Sequence, residues 1–190
     1  MSTENWVILG VAIAIVLYFI TLYNGLVSLK HNVTKAWANI DVLLKQRHDE
    51  LPKLVAACKE VMKFEQDTLE KVIRARSGVA TARQSGNVKA VGRAETTLRA
   101  GLGNLFALAE SYPELKSNES FQQLQSRISS LENTIADRRE LYNETVNNNN
   151  VRIEQFPDVL IASRFNFKAA DLLEFEEAEL KDVNISKLFN

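Results

Sequence analysis

Apolar and polar positions follow two regimes along this chain. From Asn5 to Leu29 no charged residue occurs, and apolar side chains occupy every face of the helix they would form. About 20 such residues cross the hydrocarbon core of a bilayer, so the stretch is predicted to be a transmembrane helix. A buried helix of a soluble domain would keep a polar stripe, and this one has none. A cleaved signal peptide would carry a basic start and a small-residue cleavage site, whereas only Glu4 precedes the run. Trp6 at one end, with Tyr18 and Tyr23 towards the other, fits the aromatic belt of a membrane anchor.

From Lys30 onward the apolar positions recur at spacings of three and four. Val33, Trp37, Ile40, Leu44, Leu51, Leu54, Cys58 and Val61 form one stripe, interrupted only at Arg47. That period marks a helix face turned towards other helices. Pro52 falls inside the stripe and withdraws the amide that would bond the His48 carbonyl. Because Leu44, Leu51 and Cys58 stay in register across it, a kinked but continuous helix is predicted, with Trp37 packed inside. A second helix is expected to start after residues 64–66, capped by Asp67 with Glu70, and to run to Gln84. Ser85-Gly86-Asn87 is a turn signal, and a third helix over Val88–Ser111 carries Val91, Leu98, Leu102, Leu105 and Leu108. Tyr112-Pro113 ends it. Asn118 then caps a fourth helix with the stripe Phe121, Leu124, Ile128, Leu131, Ile135 and Tyr142, interrupted at Arg138 and lasting nearly to Pro157. The predicted architecture is all-α. An anchor (1–29) precedes an antiparallel up-and-down four-helix bundle of long, coiled-coil-like helices (30–157), with a short extension (158–190). In that extension Ile161, Phe165, Phe167, Leu172, Leu173 and Phe175 are expected to cover one end of the bundle. Residues 174–182 are acidic and expected to be solvated.

Charge changes this picture more than composition does. The chain has 23 basic and 24 acidic residues, yet Lys71–Arg99 holds seven cations against one acid, Glu95, and residues 100–190 carry a net −6. The near-neutral total therefore hides a basic hairpin and an acidic carboxyl-terminal half. Overall it gives no bulk charge for holding nucleic acid. Arg74, Arg76, Arg83, Lys89, Arg93 and Arg99 are candidate contacts for anionic lipid or an acidic partner. Pairing with acids of the fourth helix is the simpler expectation. By helical rise the first helix climbs about 50 Å and the second returns about 27 Å, turning the Gly86 corner back towards the membrane. The cations after the apolar run, Lys30, Lys35, Lys45 and Arg47, predict a cytoplasmic location for the helices under the positive-inside rule.

Candidate chemistry is sparse. One Cys and two His exclude a disulfide framework and a Cys/His zinc cluster. His48 with Glu50, beside the Pro52 kink, is the one cluster that invites a ligand or metal, although the position four residues beyond His48 is itself proline. Cys58 lies on the apolar stripe as a small core residue. No phosphate loop, nucleophile elbow or dinucleotide fingerprint occurs, so no catalytic residue, cofactor or metal is expected.

The segments YNGLVSLKHNV (Tyr23–Val33), AWANIDVLLKQRHDELPKLV (Ala36–Val55), SYPELKSNESFQQLQSRISSLENTI (Ser111–Ile135), RRELYNETV (Arg138–Val146) and RIEQFPDVLIA (Arg152–Ala162) resemble, in order and spacing, the LemA family of bacterial membrane proteins. The resemblance implies one amino-terminal transmembrane helix, an all-helical bundle and no established enzymatic activity, with one branch in the magnetosome membrane. The function expected is a non-enzymatic scaffold or adaptor at the bacterial inner membrane. It would contact the bilayer and membrane-associated proteins, as a monomer or homo-oligomer and without nucleic acid. The basic hairpin and the faces around Arg138, Arg139 and Glu140 are the expected contact surfaces. The alternative is a membrane-tethered sensor holding a small ligand or metal through His48 and Glu50.

Overall fold

The first helix forms without a break although Gly10, Gly25 and a run of β-branched Val and Ile are weak helix formers and Pro52 lies inside it. In the computed structural model, which describes residues 3–175, α1 runs over Thr3–Lys59 with Pro52 inside. It is followed by α2 (Gln66–Gln84), α3 (Val88–Ala109), α4 (Pro113–Lys116), α5 (Glu119–Glu154) and α6 (Asp158–Arg164). The described residues contain no strand. Two compact units divide them: residues up to Ile40 with Arg138–Leu172, and Asp41–Asp137 with the chain from Leu173.

In the first unit the large apolar side chains from Trp6 to Ile20 are 39–67% exposed, so the described residues leave this part of α1 uncovered. Leu22 and Leu26, by contrast, are buried against Ile153, Ile161 and Ala162, with Phe167 alongside. The Asn147–Asn150 run, a poor helix former by propensity, stays in α5, and Asn150 ties it to the chain beyond α6. The Asn150 amide donates to the Ala170 carbonyl at 2.9 Å and accepts from the Ala170 N–H at 2.9 Å. Tyr142 donates its hydroxyl to the Asp171 carbonyl at 2.9 Å, and its ring lies 5.5 Å from that of half-buried Trp37. Phe165 and Leu172, expected to cover an apolar end, remain exposed.

In the second unit one apolar core joins the carboxyl-terminal part of α1 (Leu51, Leu54, Cys58), α2 (Leu69, Val72, Val79), α3 (Leu98, Leu102, Leu105) and α5 (Phe121, Ile128). Leu115 of the short α4, which opens on Pro113, is fully buried in it. Asn87 and Asn118 cap α3 and α5, each side-chain oxygen accepting an N–H at 3.0 Å. Asp67 does not cap α2. The helix begins one residue earlier, at Gln66, so Asp67 sits in the first turn, where its charge complements the helix dipole. Gly86 adopts φ +67 in the α2–α3 turn, a conformation glycine takes without strain. Gly92 answers a different need: a Cβ there would stand 2.0 Å from the Glu174 carbonyl oxygen. Leu173 is buried, Glu174 is exposed, and the acidic positions 176–182 lie outside the described residues.

Candidate functional site

The cations of the α2–α3 pair separate into two groups. Arg76, Arg83 and Arg99 are partly buried and engaged. Arg83 donates through Nε to Asp41 Oδ1 at 2.7 Å. Arg99 lies 3.1 Å from Glu132 Oε2, with its guanidinium 5.4 Å from the Phe175 ring centre. Arg76 donates through Nε to the His48 carbonyl at 2.9 Å. That carbonyl is the acceptor Pro52 leaves without its helical donor, so an arginine of α2 replaces the missing amide of α1. Lys71, Arg74, Lys89 and Arg93 form the exposed group. Arg74 reaches Glu70 one turn back at 2.7 Å, a solvent-screened pair that contributes little to stability. The expected pairing with the fourth helix is thus realised at Arg99, while Arg83 and Arg76 turn to α1.

The core holds a charge cluster as well. Arg47, 1% exposed, donates through Nη2 to both oxygens of fully buried Glu95, at 2.6 Å to Oε2, and through Nη1 to Glu132. Arg99 completes the group on the other oxygen of Glu132. Burial alone would depress the Arg47 pKa, but the two carboxylates outweigh it and hold the guanidinium charged. Burial pushes the Glu95 carboxyl above its ordinary range, and Arg47 pulls the other way. Arg47 and Glu95 are closed to solvent, whereas Arg99 and Glu132 line an open cleft of about 380 Å³ on the other side. The physical effect of the cluster is to penalise any packing that separates its members, because an unpaired buried charge costs several kcal/mol, about 3–5.

His48 and Glu50 are not brought together. Glu50, buried, lies 3.2 Å from both Lys53 and Arg127. His48 is half-buried with its Nδ1 unpartnered, and burial, then the Arg76 charge, lower its pKa below 6.5. Among the described residues no three His, Cys, Asp or Glu side chains are grouped to hold a metal ion. An apolar cleft of about 610 Å³ between α1 and α2, walled by Leu51, Pro52, Met62, Leu69 and Ile73, includes neither residue. Cys58 is fully buried, and burial pushes its thiol up to about 11, far from a reactive thiolate. Of the belt aromatics, Trp6 and Tyr18 are exposed, while Tyr23 meets Phe165 and Phe167 edge-on at 5.0 and 5.8 Å.

The model of the LemA family matches residues 36–186. The chain belongs to the LemA family. Among curated proteins it is similar to the magnetosome proteins MamQ 2 and MamQ 1 of Paramagnetospirillum magneticum, each 29% identical over 104 residues. Those residues make up 55% of this chain and 38% of each relative, so the similarity spans well under half of the relatives' length.

The LemA match begins after the apolar run, and the residues that organise this LemA chain lie within it. Two of its features escape a reading of stripes alone. One is the Arg47–Glu95–Glu132 cluster, although Arg47 and Glu95 each stand on an apolar stripe and carry opposite charge. The other is the Arg76 bond to His48, whose orphaned acceptor follows from Pro52 but whose donor lies 28 residues away.

Proposed function

We propose that this LemA-family chain is a membrane-anchored, non-enzymatic scaffold or adaptor of the bacterial inner membrane. The observation that carries the reading is the run of uncovered apolar side chains from Trp6 to Ile20, continuous within α1 with the helix that contributes Leu51, Leu54 and Cys58 to a core. A soluble monomer rarely leaves so long an apolar surface in water. The helices beyond the anchor act as an antiparallel up-and-down bundle on the cytoplasmic side, the orientation favoured by Lys30, Lys35 and Lys45. Anchoring raises the local concentration of the bundle for partners in the same membrane, which is how a scaffold works without chemistry of its own. Its core charges neutralise one another and its thiol is buried, which supports a role in binding rather than catalysis. The exposed cations Lys71, Arg74, Lys89 and Arg93 are the surface through which it meets an acidic partner. Similarity to magnetosome proteins supports a place in organising a membrane.

Photo-crosslinking groups placed at Arg74 and Arg93 in native membranes test this reading. Discrete adducts with membrane proteins are expected, and an adduct-free result at both positions would refute the contact surface. A reporter active only outside the cytoplasm, fused after Asn190, is expected to be silent; activity would reverse the orientation.

A further inference from the structure

The uncovered part of α1 is short for a bilayer. Trp6–Ile20 rises about 22 Å, against about 30 Å of hydrocarbon. The apolar sequence continues to Leu26, but Leu22 and Leu26 are covered by Ile153 at the end of α5 and by Ile161 and Ala162 of α6. The α5–α6 corner therefore flanks α1 at the depth where the bilayer gives way to its headgroups.

The outer surface of that corner is apolar too. Phe156 is 80% exposed, Leu160 52% and Phe165 58%. Their neighbours Ile161, Ala162 and Phe167 pack inward, while Phe165 rests edge-on against Tyr23 of α1 and keeps the rest of its ring exposed. Just beyond, Lys30, His31 and Lys168 line a cavity of about 550 Å³ together with Tyr23 and Phe165. Apolar side chains followed by cations is the order in which a bilayer presents acyl chains and then phosphates.

We propose that the α5–α6 corner is a second membrane-contact site, with Phe156, Leu160 and Phe165 entering the interfacial layer of the phospholipid bilayer beside α1 and Lys30 and Lys168 meeting lipid phosphates. The proposal rests on α1 being an anchor. It makes the membrane attachment a broad foot on two segments of chain instead of a single helix, and fixes how far α1 descends.

The test uses the full chain, carrying Cys58→Ala, in vesicles of phosphatidylcholine and phosphatidylglycerol. Environment-sensitive fluorophores are attached singly through Ile13→Cys, Phe156→Cys or Leu160→Cys, all at exposed positions that leave the cores untouched. Acyl-chain quenchers are expected to extinguish all three probes, with those at 156 and 160 at a depth of about 5–10 Å and shielded from aqueous iodide. Iodide quenching at 156 and 160, with the probe at 13 still lipid-quenched, would overturn the corner site and leave the anchor standing. Iodide quenching at all three would overturn the anchor and the corner together.

Discussion

The two ends of α1 invert each other. From Trp6 to Ile20 the helix shows large apolar side chains to its surroundings, and near its other end it buries Arg47 at 1% exposure. Neither arrangement suits a helix in water. The first is stable where the solvent is hydrocarbon, because apolar surface there has nothing to escape from. The second is stable because Glu95 accepts from Nη2 and Glu132 from Nη1, which offsets the burial of the charge although Nε is left without a partner. One continuous helix thus teaches that burial is set by what lies opposite a side chain, and not by its polarity alone.

The strongest way to break the comparison is to give the first end the character of the second. Ile13→Arg with Val16→Arg adds two charges to the span, each opposing insertion by about 2.5–3.5 kcal/mol. The chain is expected to move from the membrane pellet to the soluble fraction or to be degraded, as membrane fractionation would read. The reverse exchange is nearly as large. Arg47→Met leaves Glu95 buried without its counter-charge and is expected to lower stability by about 3–5 kcal/mol in denaturant melts of the detergent-solubilised chain. Because burial raises the Glu95 pKa in the folded state, this loss grows as pH rises through that raised value and shrinks below the ordinary carboxylate range. Arg47→Met with Glu95→Leu should recover most of it, leaving Glu132 with Arg99.

Smaller substitutions sharpen the same point at glycines. Gly92→Ala drives a methyl group into the Glu174 carbonyl and is expected to cost about 1–3 kcal/mol, with earlier proteolysis after Leu172 as a local sign. Gly78→Ala meets nothing within 4 Å and should instead stabilise α2, by up to about 1 kcal/mol. An effect of similar size is expected at Arg76→Gln, which removes the surrogate donor of the His48 carbonyl and costs about 0.5–1.5 kcal/mol. With the Arg76 charge gone, the lowered His48 pKa should move up towards 6.5 in a proton NMR titration. Since a lowered histidine pKa favours folding above 6.5 and loses that contribution as pH falls through the folded value, the variant should also be less sensitive to mild acid.

Much of the fold is written in local pattern. The α1 stripe from Ile40 to Cys58, continuous across Pro52, and the Asn118 cap are properties of neighbouring residues that sequence spacing exposes directly, whereas Asn87, legible only as part of a turn, is the cap of α3. The charge breaks show where that legibility ends. Arg47 and Arg138 interrupt their stripes in the same way, yet Arg47 is buried and Arg138 is exposed. What separates them is a partner in three dimensions: Glu95, the lone acid of the basic stretch, occupies the position between Val91 and Leu98 on the α3 stripe. Opposite charges on two inward stripes are a usable signal for a buried pair, but they do not reveal that Glu132 and Arg99 complete it. The short helices α4 and α6 are held by the burial of Leu115 and of Ile161, with too few turns for a period to register.

The bond from Arg76 to the His48 carbonyl has a consequence for how this sequence can change over generations. An Ala at position 52 would restore the amide, return His48 to its own helix and leave the guanidinium of residue 76 without an assigned acceptor. The opposite order, losing Arg76 while Pro52 remains, strands a carbonyl in a partly buried place. Substitution at 52 should therefore precede substitution at 76, and related chains are expected to keep an arginine at the second position for as long as they keep a proline at the first.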